Sequence, residues 1–236
     1  EKGQAVKVAA QLAEFINAAK SSLHIAIYDF RLKQEELSGP VIKALNDKAA
    51  NGIEVQIAFY AGKPQAHSHG TKGKQAAETV QEEDMNFFIA VGGDPAPGGT
   101  EGFLKAAFKD NVQLRGITGS KLMHNKYIIR DANTSEAALW TGSANFTDDA
   151  WSFQENNIVC IDGAPDIYAF YQNDFKELWV SGDIKSTGVN DRGTIQVGST
   201  TVDVAFAPGE GQTIDQTISD LIGSARSRIK IASMVI

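Results

Sequence analysis

Apolar residues recur along the chain at helical and at strand spacings in turn, which predicts a layered α/β protein. Leu12, Phe15, Ile16 and Ala19 follow the i, i+3, i+4, i+7 pattern of a helix with one buried face. The sequence LHIAIYDF, residues 23–30, then predicts a buried strand. A helix that leads into a buried strand is one unit of such a fold.

The same pattern continues into the middle of the chain. A second helix is predicted over residues 37–50, and it ends at Asn51–Gly52 because glycine tolerates the left-handed turn there. The sequence IEVQIAFY, residues 53–60, predicts the next strand. Residues 61–102 are rich in glycine, proline and charge, which indicates loops. We expect this segment to lie at the mouth of a site.

Four further strands and one long helix follow. The strands are predicted at NVQLRGI (111–117), around His124, at AALWTG (137–142) and at NNIVCI (156–161). The helix is predicted over residues 164–180, with Asp174 as the polar member of its apolar stripe. Cys160 lies in the last strand, where we expect a small buried hydrophobic residue, and His24 in the first strand is expected to be structural.

The C-terminal segment repeats the N-terminal one. Phe15–Ile16 aligns with Leu221–Ile222, and residues 23–26 align with residues 229–232, at a constant offset of 206 positions. A predicted hairpin and a predicted helix–strand pair occupy this C-terminal part. We therefore predict an α/β repeat over residues 1–182, a linker over 183–193 and the start of a second, truncated repeat over 194–236.

Composition and charge limit the kinds of protein that this sequence can encode. The 236 residues carry a net charge of −7, which weighs mildly against a nucleic-acid surface, although a local basic groove is compatible with it. There is no apolar run of 18 or more residues, so no transmembrane helix is expected, and a single cysteine allows no internal disulfide. Localisation stays open, and a secreted or membrane-associated enzyme is compatible with these features.

The segment from Met123 to Phe146 sets ionisable groups into an apolar run. His124 and Lys126 lie two residues apart in a predicted strand, so both side chains should point to one face. Repulsion between two cations favours a neutral imidazole beside a charged Lys126. A neutral imidazole is a nucleophile and a fixed ammonium binds a phosphate oxygen, which together suit attack on phosphorus through a phosphohistidine. Asn145 would add a phosphate contact.

These residues form two motifs, H-x-K-x4-D (His124, Lys126, Asp131) and G-S-x-N (Gly142 to Asn145). The pair resembles the motifs of the phospholipase D superfamily, and the resemblance covers most of the chain. It implies an α/β sandwich with a mixed central sheet flanked by helices, and chemistry that needs neither a metal nor a cofactor. The gap between Asp131 and Gly142 is longer than is usual in the family, which we interpret as a four-residue turn insertion at residues 133–136.

The resemblance also implies a role for each site residue. His124 would be the nucleophile or the partner acid, with Lys126, Ser143 and Asn145 on the substrate phosphate. Three residues would support the site: Asp131, Gly142 and Glu155. Glu155 would orient His124 through the far ring nitrogen. His67 and His69, in a loop without a third ligand, are weak candidates for a metal site.

The family normally uses two H-x-K motifs, and this sequence contains one. We expect the second half to come from a C-terminal repeat or from a second chain, and we expect the isolated chain to be weakly active or inactive. The favoured function is a phospholipase D-like phosphodiesterase or phosphatidyltransferase acting on a phospholipid. A nuclease is the alternative, with a groove formed by Lys63, Lys72, Lys74, Lys105 and Lys109. A binding domain without catalysis is the third hypothesis.

Overall fold

The computed structural model describes residues 2–62 and 99–232. The first range contains α1 (Lys2–Asn17), β1 (Ser22–Ile27), β2 (Phe30–Arg31), α2 (Glu35–Ala50) and β3 (Glu54–Tyr60). The second range contains α3 (Gly99–Ala107), β4 (Gln113–Ile117), β5 (Lys126–Arg130), β6 (Ala138–Gly142), β7 (Phe146–Thr147), α4 (Asp148–Ser152), β8 (Ile158–Asp162), α5 (Pro165–Ser181), β9 (Arg192–Val197), β10 (Thr200–Ala205) and α6 (Gly211–Ser224). Most of 61–102, with His67 and His69, lies outside the described residues.

Six strands form a mixed sheet in the order β4–β3–β1–β5–β6–β8. The first three strands in that order are parallel, and each of the other three is antiparallel to its neighbour. Parallel neighbours need a crossover connection, which α2 provides between β1 and β3. The predicted fold class, α/β with a mixed central sheet flanked by helices, is confirmed.

Helices cover both faces of this sheet. On one face α1 and α2 pack together, and the α1 residues Leu12 and Ile16 are fully buried. Each such side chain contributes roughly 1.5–3 kcal/mol to folding. On the other face α5 packs with the β9–β10 hairpin. Helix α5 begins with Pro165, whose missing N–H has no helical partner at that position, and ends at Gly182 in the left-handed conformation (φ 67°).

The pairing register brings both sequence motifs to one end of the sheet. Lys126 at the start of β5 lies opposite Ile27 at the end of β1. Thr141, near the end of β6, lies opposite Tyr127. The segments that precede β5 and follow β1 and β6 therefore meet at this end, which is where the candidate site forms.

Asp131 lies at the opposite end of β5 and has a structural environment. Its side chain is 1% exposed, and its carboxylate accepts five hydrogen bonds at 2.6–3.2 Å. The donors are the backbone amides of Lys20, which contacts both oxygens, of Ser21 and of Ser22, and the Ser21 hydroxyl. Burial acts to raise the pKa of Asp131, but these hydrogen bonds hold the pKa below its ordinary value. The carboxylate thus ties the α1–β1 connection to the β5–β6 turn.

Four expectations from the sequence were wrong. Residues 99–102, which were predicted as loop, form the start of helix α3. Strand β5 begins at Lys126, and His124 precedes it. Cys160 is exposed, because β8 is the last strand of the sheet and its burial is incomplete. Described residues 225–232 form no strand, since they pair with no other strand there. The expectation for His24 was right: the ring is buried, stacks on Phe175, and lies within hydrogen-bond distance of Gln172 and Glu54.

In the C-terminal part, the hairpin contributes buried residues to the core and the last helix is exposed. In the hairpin, Ile195 and Val204 join the core beneath α5, as does Phe206 just after it. Helix α6 has no buried residue, and its Ile218 and Leu221 are 51% and 66% exposed. The domain boundary at 183–193 and the truncated second repeat stay predictions. Within the described ranges, no helix combines the length and the hydropathy needed to cross a membrane.

Candidate functional site

The ring of Tyr28 brings His124 and Lys126 together. The His124 ring lies edge-on to the Tyr28 ring with centroids 4.9 Å apart. The Lys126 Nζ lies 5.1 Å from the centroid of the same ring, within the range of a cation–π contact. The imidazole and the amine therefore lie on one side of the sheet, around a shared aromatic side chain. This is the arrangement that the spacing of two residues predicted.

Lys126 is a buried amine beside a buried carboxylate. The residue is 9% exposed, and its Nζ donates a hydrogen bond to the backbone oxygen of His124 at 2.8 Å. Burial lowers the pKa of Lys126 to about 7, against the opposing effect of the Asp29 carboxylate. The amine consequently titrates close to neutral pH and is charged below it.

His124 remains exposed, as a residue that reacts with a substrate must be. The pKa of His124 is lowered to about 4. The main cause is desolvation by the surrounding protein, and the charge of Lys126 is the second cause. The imidazole is therefore neutral at pH 7, as repulsion from Lys126 alone predicted. Desolvation is the larger cause, and it could not be read from the sequence.

Tyr28 and Asp29 join the two motifs through the backbone. The Tyr28 amide donates to the Asn125 oxygen at 2.9 Å, and the Phe146 amide donates to the Asp29 oxygen at 2.9 Å. Asn125 is the middle residue of H-x-K, and Phe146 directly follows G-S-x-N. The segment after β1 thus fixes the positions of both motifs relative to each other.

The charged residues of this segment were missed from the sequence. The Asp29 side chain is 12% exposed and accepts hydrogen bonds from the Arg31 guanidinium and, at 2.9 Å, from the Thr100 hydroxyl. The sequence LHIAIYDF did contain a sign of this role, because the charged Asp29 interrupts an otherwise apolar segment. Only the sheet order, which places β1 next to β5, shows that this carboxylate lies beside Lys126.

The G-S-x-N residues lie in a close turn against the chain before β8. A Cβ atom on Gly142 would lie 2.1 Å from the Asn157 oxygen, so only glycine fits there. The Ser143 hydroxyl donates to the Asn156 side chain at 2.8 Å and accepts from the Asn157 amide at 3.0 Å. Asn145 has a buried Oδ1 atom without a hydrogen-bond partner among the described residues.

Glu155 lies in the segment between α4 and β8 and is exposed. Within the described part of the chain, no hydrogen bond joins Glu155 to His124. The orienting role of Glu155 stays a prediction. Its neighbours Asn156 and Asn157 make the hydrogen bonds to Ser143 described above.

The family of this chain follows from a comparison with models of known protein families. The model described as "Cardiolipin synthase, PLD-like domain" matches residues 12–179, which include both motifs. The chain belongs to the phospholipase D superfamily. Members of this superfamily generally process phosphodiesters, with nucleic acids and lipids among their substrates. No curated protein matches the chain.

Several solved structures are similar to this chain at low sequence identity. Nuc from Salmonella typhimurium, a phospholipase D family member, is 21% identical over 72% of this chain and 86% of that chain, with a TM-score of 0.44. NucT from Helicobacter pylori is 20% identical over 75% of this chain and 90% of that chain, with a TM-score of 0.48. Phosphatidylserine synthase from Haemophilus influenzae Rd KW20 is 10% identical over 98% of this chain and 46% of that chain, with a TM-score of 0.44.

Two of the lysines proposed for a basic groove line a cavity that contains no residue of the H-x-K or G-S-x-N segments. Lys105 and Lys109 line a surface cavity of about 560 Å³ beside β4, together with Arg115 and Trp179. Lys63, Lys72 and Lys74 lie outside the described residues. The described lysines therefore form a basic, partly aromatic patch at the outer strand of the sheet.

Tyr28 offers a direct test of the geometry. We expect Tyr28→Ala to move the pKa values of His124 and Lys126 toward their ordinary values, because both groups lose the ring that packs against them. A Lys126 amine with a raised pKa stays charged at pH 8, so inorganic phosphate should bind more tightly to Tyr28→Ala than to the wild type at that pH. NMR titration of the His124 ring and the Lys126 amine measures the first effect, and calorimetry measures the second.

Tyr28→Phe is the matched control, since it keeps the ring and removes the hydroxyl. It should leave the two pKa values and the phosphate affinity close to those of the wild type. Equal behaviour of wild type and Tyr28→Ala would contradict the role assigned to this ring.

Proposed function

We propose that this chain cleaves phosphodiesters through a covalent phosphohistidine on His124. One observation carries the proposal: a neutral, exposed imidazole and a buried amine share the ring of Tyr28 and so face the same space. An exposed neutral imidazole can attack, and an amine beside it can bind the anion that is attacked.

The reaction follows from these groups. A ring nitrogen of His124 forms a bond to phosphorus, and the bond from phosphorus to the leaving oxygen breaks. Lys126 and Asn145 stabilise the charge that develops on the phosphoryl oxygens. The Ser143 hydroxyl, which donates to Asn156 in the free chain, would turn its hydrogen toward the phosphate. Water or an acceptor alcohol then attacks the phosphohistidine and releases the imidazole. Glu155 would hold the far ring nitrogen during both steps.

The second half of the reaction needs a second acid–base group. An alkoxide leaving group must be protonated, and water must be activated for the return step. We propose that a second H-x-K motif, from a C-terminal repeat or from a second chain, supplies this group. The chain with one motif should therefore turn over poorly, although its first step remains available to substrates whose leaving group departs as an anion.

A phospholipid is the favoured substrate. The net charge of −7 disfavours a polyanion such as nucleic acid, and the matching family model is described as cardiolipin synthase. The cavity lined by Lys105, Lys109 and Arg115 favours the second candidate, a nuclease. Release of the head group from phosphatidylcholine vesicles, compared with nicking of plasmid DNA, separates the two when both are measured in a chelator.

Bis(p-nitrophenyl) phosphate tests the chemistry apart from the substrate. Its leaving group needs no proton, so we expect a burst of at most one equivalent of p-nitrophenolate per chain and then slow turnover. Mass spectrometry should locate the phosphoryl group on His124. A chain that releases no burst and carries no label is a binding domain, and the proposed function fails.

The two pKa values set the pH range of this burst. His124 must be neutral, so the rate should fall as pH drops below about 4, and Lys126 must be charged, so the rate should fall as pH rises above about 7. Stopped-flow rates between these limits should be nearly constant. A rate that still increases between pH 7 and 9 would contradict the role of Lys126.

A further inference from the structure

The face of the H-x-K segment opposite the site is held by one buried carboxylate. Asp174 on α5 is 1% exposed. It accepts a hydrogen bond from the Tyr127 hydroxyl at 2.6 Å and another from the Asn125 side-chain amide at 3.0 Å. Asn125 and Tyr127 alternate with His124 and Lys126 along the chain, so the carboxylate holds the two side chains that point away from the site.

The strand pairing alone does not fix this segment. Strand β5 begins at Lys126, and on its N-terminal side the Asn125 oxygen is held by the Tyr28 amide. The hydrogen bond from Asn125 to Asp174 is thus a second point of attachment for the residue between His124 and Lys126. Without it, the Tyr28 bond alone holds the backbone of Asn125, which lies between His124 and Lys126.

The environment of Asp174 makes the ionised form of this carboxyl group costly in the folded state. Burial, and then the charges of Asp191 and Glu177, raise the pKa of Asp174 to about 7, against the effect of the Tyr127 hydrogen bond. An unfolded aspartate is ionised above about pH 4. The group therefore lowers the stability of the fold as pH rises from about 4 to about 7, because the folded state holds a proton that the unfolded chain has released.

We propose that Asp174 is a positioning residue, which holds Asn125 and Tyr127 so that His124 and Lys126 both face the substrate. This inference rests on the proposed function of those two residues. Asp174 itself lies on the opposite side of the segment and does not touch the substrate. The proposal concerns the hydrogen-bonding shape of the side chain. Both bonds are accepted by Oδ2 of Asp174, so an asparagine with its oxygen in that position can accept both.

Three variants of the full chain test the proposal. Asp174→Ala should slow the burst with bis(p-nitrophenyl) phosphate at least tenfold, with little change in the concentration of substrate that gives half-maximal rate. Asp174→Asn should restore the rate to within about threefold of the wild type, because both hydrogen bonds can re-form. Tyr127→Phe, which removes one of the two bonds, should fall between them.

Gln172→Ala is the matched control. Gln172 is a buried polar residue on the same helix and the same face of the sheet, but its partner is His24 on β1. This variant should lower the melting temperature and leave the burst rate within twofold of the wild type. An equal slowing by Gln172→Ala and Asp174→Ala would show general loosening of the core and would overturn the inference.

A second measurement does not depend on catalysis. NMR titration of the His124 ring should show a pKa near 4 in the wild type and in Gln172→Ala, and a shift toward the ordinary value in Asp174→Ala. If the wild type gives no burst and this shift is observed, the positioning role stands and the proposed function fails. If the burst is normal in Asp174→Ala and the pKa of His124 is unchanged, the positioning role fails and the proposed function stands.

Discussion

Replacing His124 with alanine is expected to abolish the burst and to lower steady-state phosphodiester cleavage by roughly three orders of magnitude or more. The nucleophile is removed, and the remaining groups can bind a phosphate but cannot form the covalent intermediate. The fold should be retained, because His124 is exposed and precedes β5 rather than lying in it. The rate of p-nitrophenolate release, the label on the protein and the melting temperature measure these effects.

His24→Ala is the control for the loss of an imidazole. His24 is buried on the other face of the sheet, where it stacks on Phe175 at 4.9 Å and contacts Gln172. This variant should lose about 2 kcal/mol of stability through its buried contacts and keep the burst. A His124→Ala protein that still forms a covalent phosphoryl intermediate would refute the role assigned to His124.

Replacing Asp131 with alanine should reduce the free energy of unfolding by about 4 kcal/mol, because three backbone amides and a hydroxyl lose a buried, charged acceptor. A typical domain is stable by only about 5–15 kcal/mol, so the variant should be partly unfolded at 37 °C. Urea unfolding followed by circular dichroism gives the value.

Two further variants show which property of Asp131 causes this loss of stability. Asp131 has φ 53°, a left-handed conformation that asparagine tolerates and alanine does not favour. Asp131→Asn should therefore cost less than Asp131→Ala, and its loss of stability reports the charge together with the Lys20 hydrogen bond to Oδ2, which an amide nitrogen cannot accept. Asp162→Ala removes a carboxylate whose side chain is 72% exposed and which pairs with Arg130, so it should change stability by less than about 1 kcal/mol.

The pH dependence of stability gives an independent check. The folded pKa of Asp131 lies below its ordinary value, so its stabilising effect is complete above the unfolded pKa of about 4 and is lost as pH falls through the folded pKa. Wild-type stability should thus fall below pH 4 more steeply than that of Asp131→Asn. Parallel curves for the two proteins would contradict the role of the carboxylate.

The fold was largely predictable because its local patterns agree with its tertiary structure. Helix α1 was predicted from its apolar stripe, without bounds, and α5 was predicted over residues 164–180 and spans Pro165–Ser181. Strand β8 shows where this reasoning stops. Its sequence is as apolar as a central strand, and only its place at the edge of the sheet leaves Cys160 exposed.

The candidate site was predictable in its motifs and not in its surroundings. The spacing of two residues predicted that His124 and Lys126 lie on one side. The contacts that both side chains make with the Tyr28 ring confirm that they lie together. Asp29 and Asp174 carry no such periodic signal. They come from segments about 95 positions before and about 50 positions after the motif, and only the order of the strands and the packing of α5 bring them to it.

By itself, the sequence determined the α/β class and the two motifs with the chemistry they allow, because these depend on residue type and on spacings of a few residues. The tertiary structure decided the pKa values of His124 and Lys126, the exposure of Cys160, and the positions of Asp29 and Asp174. The physical reason is that desolvation and charge act through space, so they depend on which distant segments pack together and not on their order along the chain.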